Sequence, residues 1–319
     1  MDPQLAAALP DMPHVGLADP VRARAAMREL VAFLGVPEAP GHVEVADREI
    51  PGPPGAPPVP VRLYRPRNAP GPLPVLVYFH GGGFCTGDLD NEQERCLGFA
   101  AEAGVLVVSV EYRLAPEHPF PAAFDDCHAA TAWAWENAAR LGGDPERVAV
   151  GGGSAGGALA AGVALRARDE AGPPLVFQFL LYPVLDDRMD TPSMRAYTEP
   201  PLFNRTDVEH MWRHYLGSGP GPGRAAAPVY AAPARAADLA GLPPAYLLVA
   251  EIDPLRDEAL GYARRLIEAG VPTELHHVPG VYHGFDGVTS AEVARHAVAG
   301  QHRALRRALH RALDSPDGK

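Results

Sequence analysis

Residues 147–165 read RVAVGGGSAGGALAAGVAL: a short apolar, β-branched run, a glycine-rich turn and an alanine-rich helical stretch in direct succession. Ser154 sits at the turn, within Gly152-Gly153-Ser154-Ala155-Gly156. A serine held between a strand and a helix, with glycine two places to either side, has the context of a nucleophile elbow. The sharp turn exposes the hydroxyl, and glycine permits both positive φ and close approach of helix to strand. A glycine-rich turn that binds phosphate is the rival interpretation, but the GK[ST] of a P-loop is absent.

Working outward, apolar runs bounded by Gly and Pro recur at 75–79, 105–110, 148–151, 176–182, 246–250 and 273–278. Several lack polar alternation, as strands covered on both faces should. Helical spacing follows them at 91–103, 122–141, 155–170, 255–269 and 291–313. The alternation predicts an α/β fold with a mostly parallel sheet and helices on both faces. Residues 42–50 and 59–64 alternate better and flank the PGPPGAPP of 51–58, which predicts a hairpin-like pair at the sheet edge joined by a stiff loop. The rhythm breaks twice. Residues 1–40 hold a helical segment at 21–34, and residues 185–225 interpose a polar and aromatic stretch containing Tyr197, Phe203, Met211, Trp212 and Tyr215 that closes on SGPGPG. Both excursions are expected to form a helical cap over the sheet edge where α/β folds bind ligands, within one domain spanning 1–319.

The bulk properties narrow the function. With 47% hydrophobic and 21% charged residues, the chain of 319 has the balance of a globular protein with a large core. A formal net charge of −11 argues against nucleic acid as a partner. The basic run at 303–311 reads as the solvated face of a terminal helix. Three cysteines, Cys85, Cys96 and Cys127, show no CxxC spacing, so a reducing compartment is expected and no metal site is indicated. No stretch has the pattern of a secretory leader or approaches the roughly 18 apolar residues of a membrane span, which points to the cytoplasm and away from a membrane.

Attack by Ser154 on an ester carbonyl creates an oxyanion, and each preorganised N–H aimed at it is typically worth about 10² to 10³ in rate. His80-Gly81-Gly82-Gly83 follows the strand PVLVYF at once, the placement of the oxyanion loop of lipases and esterases. The N–H groups of Gly82, Gly83 and Ala155 are the expected donors. Where the serine sits on such a strand-to-helix elbow of an α/β sheet, the chain order runs serine, acid, histidine. Six of the thirteen histidines lie beyond residue 253. His276 and His277 fall inside a predicted strand, His296, His302 and His310 on the last helix, and His283 alone in a loop just past a strand end, which makes it the base. For the acid, Asp253 stands where the strand AYLLVA runs into EIDPLRDE, with Glu251 and Asp257 as rivals; Asp257 reads as a charge in a first helical turn. His118 is read as structural, since its loop supplies no nucleophile.

With these residues in place the chain resembles the hormone-sensitive-lipase-like family of bacterial esterases over nearly its whole length. The resemblance rests on HGGGF at 80–84, EYRLAPEHPFPAAFDD at 111–126, GGGSAGG at 151–157, LYPVLD at 181–186, DPLRDE at 253–258 and HGF at 283–285. It implies an eight-stranded α/β-hydrolase core with a helical cap and a Ser154–Asp253–His283 triad with Gly82, Gly83 and Ala155 as the oxyanion hole. It also implies hydrolysis of small esters with short to medium acyl chains through an acyl-enzyme, without metal or cofactor. Homodimers occur in the family. Amidase, lactonase and acyltransferase activities use the same triad and stay open, whereas ligand receptors on this fold lack the histidine that stands here at 283. Phe84, Phe203, Trp212 and Tyr215 are expected to line the acyl pocket, and Cys85 to border it. One departure is plain: the family's elbow usually reads GDSAGG, and Gly153 here removes a carboxylate next to the serine.

Overall fold

The structure is a computed structural model, and it describes residues 1–12, 15–199, 201–217 and 226–310. The SGPGPG segment and the expected helix end at 311–313 lie outside these residues. The strands are β1 (Val43–Ile50), β2 (Val59–Pro66), β3 (Leu73–Phe79), β4 (Leu106–Val110), β5 (Gly143–Gly153), β6 (Leu175–Leu181), β7 (Ala245–Ile252) and β8 (Thr273–Tyr282). The helices are α1 (Pro3–Ala8), α2 (Pro20–Leu34), α3 (Gln93–Gly98), α4 (Ala122–Asn137), α5 (Ala155–Asp169), α6 (Pro192–Ala196), α7 (Arg205–Tyr215), α8 (Arg256–Glu268) and α9 (Glu292–His310).

The eight strands form one sheet in the order β1-β2-β4-β3-β5-β6-β7-β8. β1 pairs antiparallel with β2, and β2 with β4; every other pairing is parallel. The alternating pair expected at the sheet edge is β1 and β2. β3 and β4 are buried along their whole length because both faces are covered, which is why their sequences carry no polar alternation. Val75, Val77 and Phe79 face a core with α4, α5 and α8, while Leu76 and Tyr78 face a second core with α3 and α9.

The helix expected over 91–103 is instead α3 followed by a π-helical turn at Phe99–Ala103, ended by Gly104 at φ 70°. Arg303, Arg306 and Arg307 of α9 are exposed. The parallel strands end in step, so that Phe79 pairs with Gly152, and Gly153 with Leu181. The residues immediately after β3, β5, β6, β7 and β8 are His80, Ser154, Tyr182, Asp253 and His283, which brings the chemistry-bearing positions to one edge.

Candidate active site

Ser154 has φ 56° and ψ −117°, a conformation that costs a non-glycine residue about 1–3 kcal/mol and persists only where the surroundings enforce it. They do so here. Its N–H donates to the Leu181 carbonyl at 2.9 Å, and its own carbonyl accepts from Ala158 at 3.2 Å and Val184 at 3.1 Å. The positive φ expected at the turn falls on the serine itself, while the glycines serve close approach. A Cβ at Gly156 would lie 2.0 Å from the Phe79 carbonyl oxygen, and one at Gly152 2.3 Å from the Gly156 backbone. Neither position has room for any other residue.

The His283 Nε2 is 2.9 Å from Ser154 Oγ, and its Nδ1 is 2.7 Å from Asp253 Oδ2. The other Asp253 oxygen accepts from the Leu255 N–H at 2.9 Å, and the carboxylate is 1% exposed. The two rival acids are engaged elsewhere. Glu251 accepts from Gly280 N–H at 2.6 Å, and Asp257 binds Arg256 at 2.8 Å and the Ser193 N–H at 2.7 Å. The imidazole packs against the rings of Tyr182 and Phe203, with centroids 4.8 and 4.7 Å away. His118 is exposed on the loop before α4.

Gly82, Gly83 and Phe84 follow β3 with φ of 114°, 60° and 60°. The Gly82 carbonyl is turned into its own loop, where it accepts from the Cys85 and Thr86 N–H groups at 3.1 and 3.0 Å and from Thr86 Oγ1 at 2.9 Å. No acceptor among the described residues claims the N–H of Gly82 or Gly83. The Ala155 N–H is an orphan of the first turn of α5. His80 is fully buried, stacks on Tyr112 at 4.0 Å, and has its pKa pushed down by burial to about 4. Tyr112 Oη donates to the His80 carbonyl at 2.8 Å, so the EYRLAP segment buttresses the start of the glycine loop.

A cavity of about 260 Å³ opens over Ser154, His283 and Gly81–Gly83. Leu17, Met27, Leu30 and Val31 close it from the N-terminal side, and Leu202 and Phe203 from the insertion. The two segments hold one another: Leu17 N–H donates to Asp207 Oδ1 at 3.1 Å, and the Leu17 carbonyl lies 3.1 Å from His214 Nε2. Arg24 of α2 donates to the carbonyls of Cys85 at 2.8 Å and Ala115 at 2.9 Å.

Of the four aromatic residues expected to line the pocket, Phe203 does; Phe84, Trp212 and Tyr215 do not. Phe84 stacks on Tyr215 with centroids 3.7 Å apart and planes at 4°, Trp212 adjoins both, and all three are essentially buried in the core. Helix α7 is amphipathic and spends its aromatic face on packing beneath the glycine loop. Cys85 likewise faces this core and not the cavity, its thiol pushed up by burial to about 12.

A polar cluster went unanticipated in the sequence. Arg95, on α3, bonds Glu92 at 2.8 Å and Asp286 at 2.8 Å, and Tyr182 Oη donates to Asp286 at 2.8 Å. Burial alone raises the Asp286 carboxyl, but Arg95, Gln301 and Tyr182 together hold it below its ordinary value. Glu92 and Arg95 line the cavity beside Gly153. The nearest signal in the sequence was Gly153 itself, an elbow without its usual carboxylate.

Among known proteins, a family model described as the α/β-hydrolase fold matches residues 76–287. Esterase LipI of Mycobacterium tuberculosis is 44% identical over 261 residues, covering 79% of this chain and 78% of the relative. Carboxylesterase NlhH of the same species is 42% identical over 289 residues, covering 90% and 89%. The solved structure of a bacterial heroin esterase superposes with TM-score 0.92 at 46% identity, over 97% of this chain and 98% of that one. Esterase LipW from Mycobacterium marinum gives TM-score 0.86 at 43% identity, over 97% and 96%. The chain therefore belongs to the α/β-hydrolase fold family, in the hormone-sensitive-lipase-like group that its motifs resemble.

Proposed function

We propose that this carboxylic ester hydrolase cleaves small esters of short to medium acyl chain through Ser154, His283 and Asp253. The observation that carries the reading is the unbroken hydrogen-bonded line from Ser154 Oγ through His283 to Asp253, at 2.9 and 2.7 Å. His283 Nε2 takes the serine proton as Oγ adds to the ester carbonyl, and Asp253 orients the ring and stabilises the imidazolium. The developing oxyanion is met by the N–H groups of Gly82, Gly83 and Ala155, which have no acceptor of their own among the described residues. His283 then protonates the leaving alcohol, and water, activated by the same imidazole, releases the acid from the acyl-enzyme.

The cavity volume of about 260 Å³ supports a short acyl group, and α2 with the 201–203 segment acts as a cap that limits its length. Three free, buried cysteines suit a reducing, cytoplasmic setting. Treatment with diethyl p-nitrophenyl phosphate tests the nucleophile. The expected result is loss of ester hydrolysis together with one diethylphosphoryl adduct on Ser154 by peptide mass; an adduct elsewhere, or inhibition without one, sinks the assignment. A p-nitrophenyl ester series tests the cap, with rates expected to peak at acetate to hexanoate and to fall by decanoate.

A further inference from the structure

Beside Gly81 the cavity wall carries charge that ester hydrolysis does not require. The Arg95 guanidinium serves two carboxylates at once: Nε donates to Glu92 at 2.8 Å, and the terminal nitrogens reach Asp286 at 2.8 and 3.3 Å. Its other donors go to Gln301 and to Tyr182 Oη, each at 3.2 Å. One positive charge is therefore set against two negative ones. Arg95 is the one Lys or Arg among the described residues lining the cavity.

The excess falls on Glu92. The Asp286 side chain has no exposure, whereas that of Glu92 is 13% exposed and lines the cavity. Glu92 Oε2 is occupied by Arg95, but Oε1 receives only a 3.3 Å bond from the Gly81 N–H. That oxygen is close to the reacting centre: a Cβ at Gly81 would lie 3.9 Å from Glu92 Oε1 and 3.7 Å from Ser154 Cβ. The same cavity is lined by the apolar side chains of Leu17, Met27, Leu30 and Val31, which reduce the water available to screen the charge. The rings of Tyr182 and Phe203 border the same space.

We propose that Glu92 is a specificity-determining residue that favours esters bearing a cationic, alkylammonium-type group and disfavours anionic ones. This rests on the ester-hydrolase reading above. The test compares matched pairs differing only by a quaternary nitrogen or carbon: acetylcholine with 3,3-dimethylbutyl acetate, and ethyl 4-(trimethylammonio)butanoate with ethyl 5,5-dimethylhexanoate. They place the charge on the alcohol and the acyl side in turn. The readout is the ratio of kcat/KM for cation over neutral isostere, in the parent and in Glu92→Gln.

A loosened Gly81 loop lowers both members of a pair together and cancels. In at least one pair the ratio should fall by about tenfold in Glu92→Gln, the effect of one carboxylate across a partly solvated pocket, and should be retained in Glu92→Asp. In the parent it should also fall as salt is raised. Ratios unchanged by Glu92→Gln and by salt in both pairs, with the neutral esters still hydrolysed, overturn the proposal and leave the esterase reading intact. If neither the neutral esters nor p-nitrophenyl butyrate is hydrolysed, the esterase reading fails and this inference with it.

Discussion

Replacing Gly156 by alanine adds one methyl group at the point where α5 crosses the end of β3. Its Cβ would lie 2.0 Å from the Phe79 carbonyl oxygen and 2.6 Å from that of His80. Non-bonded heavy atoms rest near about 3.5 Å, so the helix must retreat by more than about 1 Å, and the obstacle is backbone with no rotamer to turn away. Overpacking of this kind costs about 3 kcal/mol, which lowers Tm by roughly 5 °C in a chain of this size. Because α5 begins at the residue after Ser154, the same retreat displaces Oγ from His283, and a misplacement of about 1 Å costs on the order of 100-fold in rate. Gly153→Ala is the control. The nearest atoms to its Cβ, Tyr78 Oη at 3.5 Å and Tyr182 Cε2 at 3.6 Å, are in ordinary contact, and its φ is not positive. Thermal unfolding by circular dichroism and kcat/KM on p-nitrophenyl butyrate should show Gly153→Ala melting within about 1 °C of the parent and Gly156→Ala failing on both counts. Equal melting and equal activity of the two variants would refute the argument that backbone approach fixes the elbow.

Two further outcomes follow from single contacts. Asp207 caps α7 by accepting from Asn204 N–H and also accepts from Leu17 N–H, so Asp207→Ala should lose about 2 kcal/mol in denaturant unfolding and raise KM more than it lowers kcat, because Leu17 lines the cavity. An unchanged KM would show that Leu17 needs no tether. Glu111 accepts from Leu89 N–H at 2.8 Å, and burial pushes its pKa from 4.5 to about 7. Between those values the unfolded chain has given up this proton and the folded one still holds it. Stability from Glu111 is thus complete below pH 4.5 and lost as pH rises through 7, by up to roughly 3 kcal/mol. Glu111→Gln should gain on the parent across that window in urea titrations; parallel curves would contradict the shift.

The local grammar of the chain was informative where one residue type has one physical reason to be present. Fully apolar runs marked β3 and β4 because both faces of those strands are covered. Consecutive glycines marked the elbow and the loop after β3, since backbone approach and positive φ leave no alternative there. Strand ends then located Ser154, Asp253 and His283, and the structure brings the three side chains together. Three of the aromatic residues expected at the pocket pack in the core instead, because a ring serves a pocket wall and a core equally well; Phe84 stacks on Tyr215 with Trp212 tilted against both, and only the fold decides which face of α7 is turned inward. The Glu92–Arg95–Asp286 cluster was invisible for a different reason. Asp286 is 191 residues from Arg95 in sequence, and the two meet because α3 and the turn after β8 reach the same edge of the sheet.

The most direct measurement is hydrolysis of p-nitrophenyl butyrate by the purified protein beside Ser154→Ala, with circular dichroism confirming that both are folded. The account expects activity in the parent that falls by about 10⁴-fold or more in the variant, the loss typical of removing a nucleophile whose neighbours still bind substrate. A folded Ser154→Ala protein that keeps the parent's rate would contradict it.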